Sequence, residues 1–366
     1  MIGRRLLQNI DWTLLLLCTA VAAIGIMNLY SASRSLLNAD QTPYYLKQLY
    51  WFIIGLVILT LIAAVDYHIL DTVAYPLYGF SIILLLLVIS FGQEISGSRR
   101  WLRIMGFSIQ PSEIIKLTII FALARYFQYH DQIEPYTLRN LYVPLALIAV
   151  PVVLIIIQPD LGTSLLILFI AFTVTLFMKV HPVSILILAG ISMTLAPVFW
   201  YNLKDYQKKR VMTFLDPSLD PLGSGYHIIQ SKIAVGSGGL LGKGFMKGTQ
   251  TRLHFLPEQH TDFALSVLAE EWGFIGSLVV LVLLLFIILK GISIAYYSRD
   301  RLGALVAIGV SSMIFWQTIV NAGMVVGLLP VVGAPMPFIS YGGSSYVCVM
   351  AGIGLLINIR MRRFRF

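Results

Sequence analysis

Ten long stretches of this chain are almost uninterrupted apolar sequence, and that pattern leaves little choice of fold. They centre on 13–32, 48–65, 71–91, 111–129, 141–157, 162–179, 182–201, 264–289, 303–327 and 344–360. About 20 such residues form a helix of roughly 30 Å, the thickness of a bilayer's hydrocarbon layer. Lipid offers the backbone no hydrogen-bond partners, so only helices and closed barrels can cross it. A barrel would alternate apolar and polar residues, and these runs do not alternate. Charged residues are only 12% of the chain, against about 25% in a soluble domain. The expected fold is all-α: a polytopic membrane protein with about ten transmembrane helices, forming a single integral membrane domain over 1–366. Arg4 and Arg5 before the run from Leu14 superficially resemble a signal peptide. With no convincing small-residue cleavage site, that run reads as a retained first helix. Cys18 and Cys348 both lie in apolar runs and fit neither a disulfide framework nor a metal-ligand spacing.

One polar block interrupts the pattern, a loop of about 202–262 between the seventh and eighth runs. Orientation follows from the basic residues. Arg4, Arg5, Arg125, Arg139, Lys179, Lys290, Arg299, Arg301, Arg360, Arg362, Arg363 and Arg365 make 12 on one side. The short loops of the other side hold 5: Arg34, Lys47, Arg99, Arg100 and Arg103. Short loops and helix flanks set topology, so both termini are expected in the cytoplasm and the long loop outside. That loop nevertheless carries Lys204, Lys208, Lys209, Arg210, Lys232, Lys243, Lys247 and Arg252. An outer face this basic suits an anionic ligand such as a lipid phosphate or pyrophosphate. An ordinary loop, part neutralised by Asp205, Asp216, Asp220, Glu258 and Asp262, is the plainer account.

Four clusters carry possible chemistry. Pro111 opens a helix on which Glu113 and Lys116 share a face. They form either a structural ion pair or the wall of a polar cavity open to the outer face. In Gln158–Ser164, Asp160 is suited to capping the next helix and to walling a site. Asp262 stands where the loop meets the eighth run, beside Glu258, His260 and Thr261. It is the strongest candidate for a catalytic base, with helix capping by Thr261 or Asp262 as the alternative. Glu270 and Glu271 follow about two turns on, roughly 12 Å deeper if the helix is continuous. They could complete the cavity, join Asp262 as weak candidates for holding a divalent cation, or hydrogen-bond within a broken helix. Between Leu329 and Ser344 three prolines (Pro330, Pro335 and Pro337) and three glycines (Gly333, Gly342 and Gly343) forbid a regular helix. Irregular backbone at membrane depth must face protein or a watery cavity, so this segment, with Ser340, is expected to border the same site.

The glycine-rich run Gly236–Gly244 is not a phosphate loop. Ser237 stands where the motif needs glycine, and Gly244 where it needs Ser or Thr. A flexible or re-entrant loop with Lys243 available to an anion is the expectation. The chain has no GxGxxG, HExxH or credible serine triad.

Long motifs then bring in a resemblance. Gly225-Tyr226-His227-Ile228-Ile229-Gln230-Ser231-Lys232, Gly236-Ser237-Gly238-Gly239-Leu240, His260-Thr261-Asp262-Phe263, Ala269-Glu270-Glu271 and Ser340-Tyr341-Gly342-Gly343-Ser344 resemble the SEDS family of cell-wall proteins. Gly97-Ser98-Arg99-Arg100-Trp101, Gln110-Pro111-Ser112-Glu113 and Gln158-Pro159-Asp160-Leu161-Gly162 fit as well. Lys243-Gly244, Gly248-Thr249-Gln250 and Phe255-Leu256-Pro257-Glu258 lean toward the family's elongation branch rather than its division branch.

The resemblance implies a peptidoglycan glycosyltransferase in the bacterial cytoplasmic membrane. It would polymerise lipid II beside a class B penicillin-binding protein transpeptidase, with no nucleic-acid partner. It implies that Asp262 is essential, that Glu113 and Lys116 line the cavity, and that a divalent cation (Mg or Mn) supports activity. Arg99, Arg100, Asp160, Arg210, Lys232, Lys243, Glu258, His260 and Ser340 complete the expected substrate-binding set. A lipid II flippase and a non-catalytic scaffold activating the transpeptidase are the competing functions.

Overall fold

In the computed structural model each of the ten apolar runs is a helix. The structure describes residues 9–34, 42–95, 98–104, 107–220, 223–253, 255–256 and 258–363. The helices are α1 (Trp12–Arg34), α2 (Tyr44–Ala64), α3 (Leu70–Phe91), α4 (Pro111–Tyr129), α5 (Tyr142–Ile157), α6 (Leu161–Phe177), α7 (Pro182–Asn202), α8 (Asp205–Leu215), α9 (Ser224–Gly238), α10 (Thr249–Arg252), α11 (Ala264–Tyr296), α12 (Arg301–Val325) and α13 (Gly343–Arg362). Among the described residues seven helices (α1, α2, α3, α7, α11, α12 and α13) are long and apolar enough to cross a bilayer. Helices α5 and α6 are apolar but shorter. The remaining helix of the ten, α4, carries Glu113, Lys116 and Arg125. The chain is an integral membrane protein.

The helices differ in how they are used. In α13, 78% of the most apolar stretch is buried, and in α12, 72%. Side chains of both pack with α4 in the main apolar core. In α7 the figure is 6%, so that helix offers nearly its whole apolar surface to the surroundings.

Two features depart from plain spans. The segment after α3 forms a small antiparallel meander, β1 (Gln93–Ile95), β2 (Ser98–Ile104) and β3 (Phe107–Ile109). The all-α reading leaves it out. The long loop is also largely helical: Gly225–Gly238, read partly as a glycine-rich loop, lies inside α9.

Helix α11 is itself broken. Gly273 has φ +68° and ψ −163°, conformations a side-chain-bearing residue rarely adopts. Residues 264–271 before the break are buried on every face, whereas Phe274, Ile275, Leu278 and Val279 after it are exposed. The first half is therefore held within protein, and the second presents an apolar face.

Candidate active site

Asp262 ends a tight turn closed on Glu258. The Glu258 carbonyl accepts the N–H groups of Thr261 (3.1 Å) and Phe263 (3.3 Å). Thr261 Oγ1 donates to the Glu258 carboxylate at 3.1 Å. Glu258 holds φ +48°, a left-handed conformation costing about 1–2 kcal/mol for a residue with a side chain. Such strain is commonly kept at functional sites. No side chain caps α11, so helix capping does not account for Asp262 or Thr261.

Three other parts of the chain clamp this turn. Asn321 of α12 donates to the Asp262 carbonyl at 2.9 Å and the Ala334 carbonyl at 2.7 Å. The His260 carbonyl accepts the Tyr341 N–H at 2.8 Å, and Gln259 Nε2 donates to the Ala32 carbonyl at 2.9 Å. The irregular 330–342 segment thus borders the site as expected. A Cβ placed on Gly333 would stand 3.5 Å from Asp262 Oδ2. Ser340 lies further back: it is buried, and its Oγ accepts the Met336 N–H at 3.0 Å. Its hydroxyl shapes the segment rather than facing an open site.

The electrostatic surroundings of Asp262 gather residues from distant sequence. Burial first, then the Glu258 carboxylate, raises its carboxyl from the ordinary 3.8 to about 6, against the pull of Arg210 and Arg100; Asp160 adds to the rise. Arg100, on β2, donates to the Pro159 carbonyl at 2.8 Å and lies 3.6 Å from Asp160. Asp160 caps α6, accepting the Thr163 N–H at 3.1 Å and the Thr163 hydroxyl at 2.9 Å. Four expected site residues, Arg100, Asp160, Arg210 and Glu258, thus act electrostatically on the fifth, Asp262. His260 is adjacent, its ring stacked 4.0 Å from that of Tyr44, and burial holds its imidazole below the usual range. The side chain of Arg99 lies outside the described residues, as do Pro257 and Gly97.

Other expected residues are placed elsewhere. Lys243 is not left available to an anion: its Nζ is 2.7 Å from Glu270 Oε1 and 2.8 Å from Thr249 Oγ1. Lys232 is exposed, its Cε where a Cβ of Gly327 would fall, 2.0 Å away. Glu113 and Lys116 form a 2.7 Å ion pair with side chains 4% and 0% exposed. That is the geometry of a buried structural pair, not of side chains on an open cavity wall.

Nor does the α11 first half run straight down the bundle. Asn28 of α1 holds the Ala264 carbonyl at 2.8 Å, and Ser31 donates to Glu271. Moving from Ala264 to Glu271 thus advances toward the end of α1, not away from it. The 12 Å of extra depth expected for a continuous helix is absent. With Glu270 held by the loop and Glu271 by Ser31, the trio Asp262, Glu270 and Glu271 does not form a ligand set. Among the described residues no three His, Cys, Asp or Glu side chains gather as a metal cluster.

The sequence reading missed two residues. Asn321 was legible as a polar amide inside an apolar helix, where an unpaired one is costly. His227 stacks 6.1 Å from Phe263, the neighbour of Asp262, and feels both Glu258 and Arg210. Burial lowers its imidazole below the usual value.

A membrane-embedded bundle that holds a raised carboxyl under the influence of two arginines, beside irregular backbone, has the make-up of a membrane enzyme. The chain belongs to the FtsW/RodA/SpoVE family, whose model, described as cell cycle protein, matches residues 8–364. It is 40% identical over 360 residues to the peptidoglycan glycosyltransferase MrdB of Escherichia coli (strain K12), covering 97% of this chain and 94% of that one. Identity to the peptidoglycan glycosyltransferase RodA of Treponema pallidum is 32%, over 97% and 98%. The fold matches a chain of a solved peptidoglycan synthase complex that coordinates polymerization and crosslinking, with TM-score 0.81, 34% identity and coverage of 98% and 99%. It also matches the rod shape determining protein RodA of Thermus thermophilus, with TM-score 0.73, 30% identity and coverage of 98% of each chain.

Proposed function

We propose that this chain polymerises lipid II into β-1,4 glycan strands at the outer face of the bacterial cytoplasmic membrane, with Asp262 as the base. The enzyme class, peptidoglycan glycosyltransferase, is that of its curated relatives. The observation that carries the assignment to Asp262 is its setting: a half-buried carboxyl on a strained turn clamped by Asn321, raised to about 6 against the pull of Arg210 and Arg100. A base of this kind is mostly ionised at neutral pH yet binds a proton better than an exposed carboxylate.

The reaction needs only one such group. A hydroxyl of the acceptor sugar attacks the anomeric carbon of the donor. The new C–O bond forms as the bond from that carbon to the pyrophosphate oxygen breaks, and the pyrophosphate departs with the electron pair. Asp262 takes the hydroxyl proton. An α-linked donor becomes a β-linked product in one inverting displacement. Glycosidases usually need a second carboxyl group to protonate the leaving oxygen; a pyrophosphate already leaves readily. Arg210 and Arg100 would balance its growing charge.

A divalent cation would ride on the substrate. Mg²⁺ is usually held by one or two carboxylates plus substrate phosphates, and Glu258, 57% exposed beside the base, would be the carboxylate to hold it. The cation would add positive charge at the pyrophosphate. The partner is a class B penicillin-binding protein supplying crosslinking, and both termini are cytoplasmic, in keeping with the weight of basic residues on that side.

The test is polymerisation of fluorescent lipid II by purified protein, alone and with its class B partner, in Mg²⁺ or Mn²⁺ and in EDTA. Long glycan chains from wild type and none from folded Asp262→Asn are expected. Equal products from both would remove Asp262 as the base. No product under any condition would favour a flippase or scaffold.

A further inference from the structure

The break in α11 is filled by another part of the chain. The Lys243 and Gly244 N–H groups donate to the Glu270 and Glu271 carbonyls, each at 3.0 Å. Beyond the break, the Phe274 and Ile275 N–H groups donate to the Gly239 and Leu240 carbonyls at 2.9 and 3.1 Å. Backbone groups freed on both sides of Gly273 are thus satisfied by one short loop. The approach is close enough to require glycine on both sides. A Cβ on Gly242 (φ +80°) would fall 2.1 Å from the Glu271 carbonyl oxygen, and one on Gly273 would fall 2.3 Å from the Gly242 nitrogen.

Glu270 fastens this plug. Its carboxylate is fully buried, yet every nearby donor comes from the loop: Lys243 Nζ at 2.7 Å, Thr249 Oγ1 at 3.1 Å, Gln250 N–H at 3.0 Å and Thr251 Oγ1 at 3.3 Å. A charge so enclosed persists only while these bonds hold. The half-helix Ala264–Trp272 runs directly from Asp262 to this fastening. At the break the loop supplies the hydrogen bonds that a continuous helix would have made there.

We infer that Glu270 is a positioning residue for the glycosyl transfer: by locking the 239–251 loop into the break of α11, it fixes the half-helix that aims Asp262 at the acceptor hydroxyl. Glu270 touches no reacting atom. It acts through the loop, whose groups supply its hydrogen-bond donors. The inference rests on the reading of Asp262 as the base. A displacement of about 1 Å at a reacting group can cost on the order of 100-fold in rate.

The experiment is steady-state lipid II polymerisation by the full chain with its partner, comparing wild type, Asp262→Asn, Glu270→Ala, Glu270→Gln and Lys243→Met, each checked for folding by size exclusion and thermal melting. Glu270→Ala is expected to lower kcat by on the order of 100-fold, with KM within about twofold. Glu270→Gln keeps an oxygen for Thr249 and Gln250 and is expected to recover most of the rate, with the acid limb of its pH profile where wild type has it. A direct acid–base or metal-ligand role would leave Gln as inactive as Ala, and either result overturns the inference. Should Glu270→Ala fail to fold, Lys243→Met, which removes only the lysine's bond and keeps those from Thr249, Gln250 and Thr251, decides: a lowered kcat at unchanged KM supports the lock, and full activity overturns it. An inactive Asp262→Asn beside a fully active, folded Glu270→Ala would sink only this inference. Asp262→Asn with wild-type activity would sink the underlying function.

Discussion

Asn321 holds Asp262 by its backbone, its side-chain amide donating to the Asp262 carbonyl at 2.9 Å. The same nitrogen reaches the Ala334 carbonyl at 2.7 Å, so one amide ties the catalytic turn to the irregular segment across the site. The carboxylate stays unused by this clamp.

Asn321→Ala would leave two carbonyls without this donor, at about 1–3 kcal/mol for each one that stays buried and unsatisfied. The expected outcome is a lower melting temperature and a kcat reduced roughly 10- to 100-fold, with substrate affinity little changed. Thermal melting and steady-state kinetics on the same preparation check both.

The raised carboxyl of Asp262 makes two pH predictions of defined sign. As a base it must be ionised, so the rate should fall below about pH 6, tenfold per pH unit once well below it. For stability, the native carboxyl binds its proton more tightly than the unfolded chain does. Its contribution is therefore full below 3.8 and is lost as pH rises through about 6. Asp262→Asn should remove this loss and melt a few degrees higher than wild type at pH 7.5. A lower melting point for the variant would contradict the burial argument.

Arg100 lowers the Asp262 carboxyl while fastened to Pro159 and Asp160. Arg100→Ala should move the acid limb of the rate profile to higher pH, with the loss greatest near pH 6 and smaller at pH 8. Lysine offers one charge but no fork to reach carbonyl and carboxylate together. Arg100→Lys is therefore expected to recover the charge effect only in part, as a full pH profile of each variant would reveal.

Glu113 and Lys116 form a buried pair, and removing one partner strands the other. Glu113→Met or Lys116→Met alone should cost about 3–5 kcal/mol of stability. The double variant, with no charge left to bury, should melt close to wild type. A double variant as unstable as the singles would show that the pair has other indispensable partners.

Much of this architecture is written in one dimension. Apolar runs announce helices because each buries or exposes its own residues to lipid whatever its neighbours do, and the helix limits fall within a few residues of expectation except at the end of α11. Asp262, Arg100, Asp160 and Glu258 were visible because charged or capping residues at the edge of apolar runs are costly without a reason. Lys243 could not be read correctly, because its partner Glu270 lies 27 residues away across a helix break. The strands after α3 are short, and their pairing depends on one another rather than on a long local pattern.

The sequence alone thus determined a helical membrane protein with an acidic residue at the mouth of its long loop, since transfer free energies act residue by residue. The tertiary structure decided which charges meet. Arg100 is paired with Asp160 and Lys243 is locked to Glu270, because in a low-dielectric interior each charge must find a partner in space. That choice depends on the break at Gly273 and the loop that fills it.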